Sequence, residues 1–276
     1  MIGVFDSGFG GLTILGEFLE RLPEYDYMYL GDSARSPYGI RSPEAIHQWT
    51  KEAVDYLFRQ GCRLVVLACF SASANALRRL QMDWLPGRCP PDASSGALPS
   101  SRLLGVLVPL AEEAGRLSRS GRIGIMATRA TVKSGVLAAE ILKRFPNLNI
   151  TSQEAPLLVP LIEEGWVGRP ETTSILKEYL GPLKDADIDT LLLACTHYPL
   201  LYNETVATLG DGIHVVNPGR IIADSLSNYL QRHPEMDRKL SKNGARRFLT
   251  TDRPAEFEQL GGIFLKRDFK AELVRL

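Results

Sequence analysis

Leu64-Val-Val-Leu-Ala-Cys-Phe-Ser71 and Leu191-Leu-Leu-Ala-Cys-Thr-His197 follow one pattern. Each is an unbroken apolar run that ends in Ala-Cys, with a hydroxyl residue just beyond. A short apolar run without alternation suits a strand buried on both faces, which means a parallel sheet covered by helices. A second echo lies upstream of each run: Gly3-Val-Phe-Asp-Ser7 corresponds to Gly124-Ile-Met-Ala-Thr128. The chain therefore reads as two similar α/β halves. In each half a Gly-led strand precedes a later strand ending in Ala-Cys. Ligands of parallel sheets bind beyond the carboxyl ends of the strands. Two such halves facing each other would bring Cys69 and Cys195 to one central cleft.

Outward from these stretches, strands are expected at 2–5, 27–30, 64–68, 103–107, 123–126, 191–194 and His214–Val216. Helical spacing occupies 11–22, 43–60, 71–80, 130–145, 172–183 and 221–232. This alternation is the α/β signature. The division expected is one domain of 1–102 with 217–276, and a second of 103–216. Residues 84–101 break the rhythm with Pro, Gly and Ser and read as a surface loop, with Cys89 a bystander on it.

The 32 basic and 32 acidic residues balance, so the bulk charge gives no footing to nucleic acid as the main partner. The amino-terminal stretch lacks the basic and apolar regions of a secretory signal. No apolar run approaches the roughly eighteen residues of a membrane helix. Four cysteines, none in a C-x-x-C pair, are too few for a disulfide scaffold. The expectation is a cytoplasmic protein with reduced thiols and no membrane association.

A cysteine between a strand's carboxyl end and a helix lies near backbone N–H groups and the positive end of the helix dipole. Both effects lower a thiol pKa from about 8.5 and favour thiolate near neutrality. One such thiol suggests a nucleophile. Two across a cleft suggest that one removes a proton as base while the other delivers one as acid, which inverts a stereocentre. The blander reading of a strand-end cysteine is a small buried hydrophobe, and Cys62 and Cys89 fit it. A metal site at Cys69, Cys195 and His197 would lack the clustered ligand pairs typical of zinc.

Three further stretches carry weaker signals. Asp6-Ser-Gly-Phe-Gly-Gly11 opens a helix and can cradle an anionic group such as a carboxylate. It lacks the G-x-G-x-x-G order of a dinucleotide loop, which disfavours a nicotinamide cofactor. Pro37-Tyr38-Gly39 is a turn by composition. His197 could equally cap or fill a core, and Glu163-Glu164 would ordinarily be a solvated helix end.

Along essentially its whole length the chain resembles the glutamate racemases, of the cofactor-independent aspartate/glutamate racemase family. The resemblance is carried by Gly3-Val-Phe-Asp-Ser-Gly-Phe-Gly-Gly-Leu-Thr13, Tyr29-Leu-Gly-Asp-Ser-Ala-Arg35, Pro37-Tyr38-Gly39 and Ala68-Cys69. It continues in Arg122-Ile-Gly-Ile-Met-Ala-Thr-Arg-Ala-Thr-Val-Lys-Ser134, Val159-Pro-Leu-Ile-Glu-Glu-Gly165 and, most specifically, Ala194-Cys-Thr-His-Tyr-Pro-Leu-Leu201. The resemblance implies two α/β domains of pseudo-twofold symmetry, no pyridoxal phosphate and no metal. It implies glutamate as the small-molecule substrate, D-glutamate for cell-wall peptidoglycan as the product, and a homodimer.

By the same resemblance Cys69 and Cys195 form the acid/base pair, assisted by Asp6, His197 and one of Glu163 and Glu164. Glu164 is the choice by spacing to Cys195. Asp6, Ser7, Tyr38, Gly39, Phe70, Ser71, Thr196 and His197 are implied to hold the substrate. The chain departs from the family at Phe70, where an asparagine that contacts the bound amino acid is usual. Phenylalanine offers neither donor nor acceptor. Ser71 in place of threonine keeps its hydroxyl. Two alternatives stay open on the sequence: a paralogous racemase with a different substrate, and a catalytically impaired regulatory relative.

Overall fold

The computed structural model describes residues 1–88 and 101–276. Its strands form two wholly parallel sheets. The first sheet contains β1 (Ile2–Asp6), β2 (Tyr27–Gly31), β3 (Leu64–Leu67), β4 (Arg102–Gly105), β9 (Arg246–Thr250) and β10 (Ala271–Leu273). Its order is β10-β9-β2-β1-β3-β4. The second contains β5 (Arg122–Ala127), β6 (Asn149–Glu154), β7 (Thr190–Ala194) and β8 (His214–Val216), in the order β6-β5-β7-β8.

The echo read in the sequence is thus a topological one. The order β2-β1-β3-β4 repeats as β6-β5-β7-β8, with Gly3 beside Val65 in one sheet and Gly124 beside Leu191 in the other. Every residue of β1, β3 and β7 is buried, as unbroken apolar runs require. Helix Leu12–Arg21 buries Leu12, Leu15, Phe18 and Leu19, one face at helical spacing. Helix Pro43–Arg59 starts on Ser42, whose Oγ accepts from the Ala45 N–H at 3.3 Å, with Pro43 in the first turn. Helix Pro218–Arg232 packs against both Leu12–Arg21 and Leu107–Leu117.

Several expectations are corrected. The strand expected at 103–107 is Arg102–Gly105, and Leu107 already begins helix Leu107–Leu117, with Pro109 tolerated in its first turn. β4 lies in the first sheet, so a division at residue 102 would cut through it. The helix expected over 130–145 is two, Arg129–Ser134 and Val136–Arg144, because Gly135 takes φ 65° between them. Residues 84–88 are helical rather than loop, and the rest of the expected loop, Cys89 included, lies outside the described residues. β6, β9 and β10 were not expected. β6 reads Asn-Ile-Thr-Ser-Gln-Glu, an edge strand with no fully buried residue and so no apolar run to find.

β9 is held in register by Asp26, which is 4% exposed and sits just before β2. Its carboxylate accepts from the N–H groups of Asn243 and Ala245 at 2.9 and 2.8 Å, and from Asn243 Nδ2 at 2.9 Å. Burial alone would raise its pKa, but these bonds and one from Ser241 hold it below the ordinary carboxylate range. Its stabilisation is therefore present above the unfolded pKa of about 3.9 and fades as pH falls through the lower folded value. Asp26→Ala is expected to cost about 2–4 kcal/mol at pH 7 in urea unfolding. The gap between wild type and variant should narrow progressively as pH drops below about 4.

Candidate active site

β1 and β3 of the first sheet, and β5 and β7 of the second, end around one small cavity. It is lined by Ser7, Cys69, Phe70 and Ser71 from one sheet and by Thr128, Cys195, Thr196 and His197 from the other. Pro37, Tyr38, Gly39 and Val159 complete the wall. Its volume is about 20 Å³, room for roughly one water. A larger cavity of about 230 Å³ beside Val66, Leu104 and Tyr229 has no thiol or imidazole among its described lining residues.

Cys69 caps helix Phe70–Asn75, its sulfur accepting from the Ala72 N–H at 3.4 Å. Its S–H donates to Ser7 Oγ at 3.6 Å. The expected lowering of this thiol's pKa does not follow. Burial, reinforced by the Asp6 carboxyl, outweighs the capping bonds and pushes the thiol up to about 12. The helix has only six residues, too few for a large dipole to compensate. Asp6 is fully buried at the end of β1, and its Oδ2 accepts from the Gly8 N–H at 2.9 Å. Its Oδ1 has no hydrogen-bond partner among the described residues. Burial raises the Asp6 pKa, against the pull of His197 and of the Gly8 and Gly11 N–H groups.

The second thiol has a different neighbour. His197 is buried; its Nε2 donates to Glu163 Oε1 at 2.8 Å, and its ring meets Phe264 edge-on at 5.1 Å. Burial disfavours the imidazolium, but bonds to the Cys195 side chain and to Glu163 prevail and push its pKa up to about 10. Glu163 is the carboxylate on His197. Glu164, chosen by spacing, is exposed at the end of helix Leu158–Glu163. One residue along a helix turns a side chain by about 100°, enough to exchange cavity for solvent.

The remaining expected residues divide. Ser7, Thr196, Phe70 and Ser71 all line the cavity, and all are at most 8% exposed. Tyr38 lines it too, but its hydroxyl donates to Asp32 at 2.5 Å and is spent there. Asp32, buried, also accepts from Arg35 Nε at 2.7 Å and from Thr251 Oγ1 at 2.8 Å. Gly39 leaves space for Thr128, since a Cβ there would lie 2.7 Å from the Thr128 Cβ.

Thr128 was missed, although the echo pairs it with Ser7. Its Oγ1 lies 2.9 Å from Ser71 Oγ and 3.1 Å from Thr131 Oγ1, so three buried hydroxyls tie helix Phe70–Asn75 to helix Arg129–Ser134. Among the described residues no group of three or more His, Cys, Asp or Glu side chains is arranged to hold a metal ion.

Two parallel sheets whose strand ends share a thiol-lined cavity define an α/β protein with a candidate acid/base site between its sheets. The sequence profile described as Asp/Glu/hydantoin racemase matches residues 16–226, and the chain belongs to that family. Its relatives include the glutamate racemase of Geobacter metallireducens, 37% identical over 96% of this chain and 92% of that protein. The crystal structure of glutamate racemase isoform RacE1 from Bacillus anthracis has a TM-score of 0.89 at 32% identity, covering 100% and 97% of the two chains. The Francisella tularensis glutamate racemase in complex with D-glutamate has a TM-score of 0.85 at 31% identity, covering 99% and 97%.

The pKa of His197 yields a direct expectation. A folded-state value near 10 lies above the unfolded value of about 6.5, so the stabilisation is full below about 6.5 and is lost as pH rises through 10. Imidazole NMR should show His197 doubly protonated at pH 8. Glu163→Gln, which keeps the shape and removes the charge, should shift the titration downward, whereas Glu164→Gln should leave it in place.

Proposed function

We propose that the protein is a glutamate racemase that works by a two-cysteine transfer of the α-proton. The observation that carries the proposal is the convergence of Cys69 and Cys195 on one enclosed cavity, each delivered by a different sheet. One sulfur, as thiolate, removes the α-proton from one face of the amino acid. The other, as thiol, donates a proton to the opposite face, and the roles exchange in the reverse direction. Glutamate comes from the relatives, which are glutamate racemases over nearly their full length.

The surroundings support distinct roles for the two thiols. Cys69, held neutral by burial and by Asp6, is prepared as the acid. Asp6, with its raised pKa, is a base whose charge is felt at that sulfur and can take its proton when the direction reverses. The His197 imidazolium, fixed by Glu163, offsets the negative charge that Cys195 carries between transfers. The hydroxyls of Ser7, Ser71, Thr128 and Thr196 are donors for the substrate's carboxylates. D-glutamate so formed would serve peptidoglycan synthesis. No cofactor enters the scheme.

Racemisation followed by circular dichroism from either pure enantiomer tests this reading. Activity should be present in the wild type and should fall by about 10²–10⁴-fold in Cys69→Ser and in Cys195→Ser. Retention of activity in either variant would contradict the scheme. Phe70, 2% exposed and part of the cavity wall, supplies bulk without a hydrogen bond. Restoring the amide with Phe70→Asn should lower KM for glutamate by about tenfold or more. An unchanged KM would show that the substrate does not reach this side chain.

A further inference from the structure

Next to the thiol cavity, and sharing Gly39 with it, lies a cavity of about 390 Å³. One side is the chain from Gly39 to Pro43, on the first sheet's connection; the other is helix Arg129–Ser134, which follows β5 of the second. Arg41, Arg129 and Lys133 line it, and among the described lining residues there is no Asp or Glu. In a chain of balanced charge this is a local concentration of cations. Among the described residues the only ion pair at these three is Arg129 with Glu154 at 3.3 Å, 48% and 31% exposed, and such pairs are weak. Arg41 lies over the Trp49 ring at 5.9 Å, a contact that leaves its charge in place. The amino-terminal turn of the 17-residue helix Pro43–Arg59 opens on the same space, where its N–H dipoles are positive and its Glu44 offsets them in part.

We propose that this cavity binds a small polyanion, of the phosphate or polycarboxylate kind, and that the bound anion clamps the seam between the two halves. The thiol cavity, at about 20 Å³, is too small to admit an amino acid without opening. The seam that must open is the contact of Gly39 with Thr128 and of Ser71 with Thr128. Arg41 stands on one side of that seam, with Arg129 and Lys133 on the other. Opening the seam would carry Arg41 away from Arg129 and Lys133, which share one helix. A polyanion therefore binds the closed form more tightly and shifts the population toward it.

Calorimetric titration of the full chain with pyrophosphate, and separately with citrate, at low ionic strength tests the site without reference to turnover. Saturable binding of at least one probe is expected. Arg41→Gln and Lys133→Gln should each weaken it by about tenfold, and Arg116→Gln, on another helix, should not. The preferred probe distinguishes phosphate from carboxylate recognition. The clamp is read separately, as slower alkylation of Cys195 by iodoacetamide when the probe is present. That slowing should vanish in the Arg41→Gln/Lys133→Gln double variant. No saturable binding, or equal binding in all variants, would overturn the site. Binding with unaltered alkylation would overturn the clamp. Neither result depends on the racemase reading.

Discussion

No side chain fits at residue 10. A Cβ on Gly10 would lie 2.1 Å from Thr196 Oγ1 and 2.5 Å from His197 Nδ1. The first sheet's opening turn is therefore pressed directly against the loop that carries the second sheet's cysteine. Thr13 holds the contact, its hydroxyl lying 3.1 Å from the Thr196 carbonyl. Everything distinctive in the cavity depends on this approach. It buries Asp6, Cys69 and His197 together; burial raises the proton affinity of the first two, whereas His197 is raised against its burial by its bonds to Cys195 and Glu163.

The two halves repeat in topology but not in electrostatics. Each ends its central strands at a thiol, yet Cys69 lies near a carboxyl group while Cys195 is bonded to an imidazolium. A symmetric scaffold with asymmetric charges suits a reaction that needs one acid and one base at the same carbon. The scaffold brings both thiols to one cavity, and each meets a different neighbouring group there.

Much of this was legible in the sequence, for reasons that can be named. β1, β3 and β7 are buried on both faces, so their apolar runs are unbroken, and the repeated Ala-Cys placed both thiols. β6 was invisible because an edge strand needs no apolar run. The break at Gly135 lay inside a stretch whose apolar spacing continues across it. Glu163 and Glu164 could not be separated by counting residues to Cys195, since the choice depends on the azimuth of a short helix. The direction of the Cys69 shift is not legible in the sequence because helix position shows there, whereas the complete burial of the thiol, and the buried Asp6 carboxyl beside it, do not.

The most direct test of the central claim, that two thiols work on opposite faces of one carbon, is an isotope measurement in deuterated water. Glutamate of one hand is incubated with the protein, and both enantiomers are recovered early in the reaction and examined by proton NMR. Two separate acid/base groups predict deuterium at the α-carbon of the product enantiomer, while the recovered starting enantiomer keeps its proton. Product that retains the original proton, or starting enantiomer that is deuterated as fast as product appears, would contradict the account.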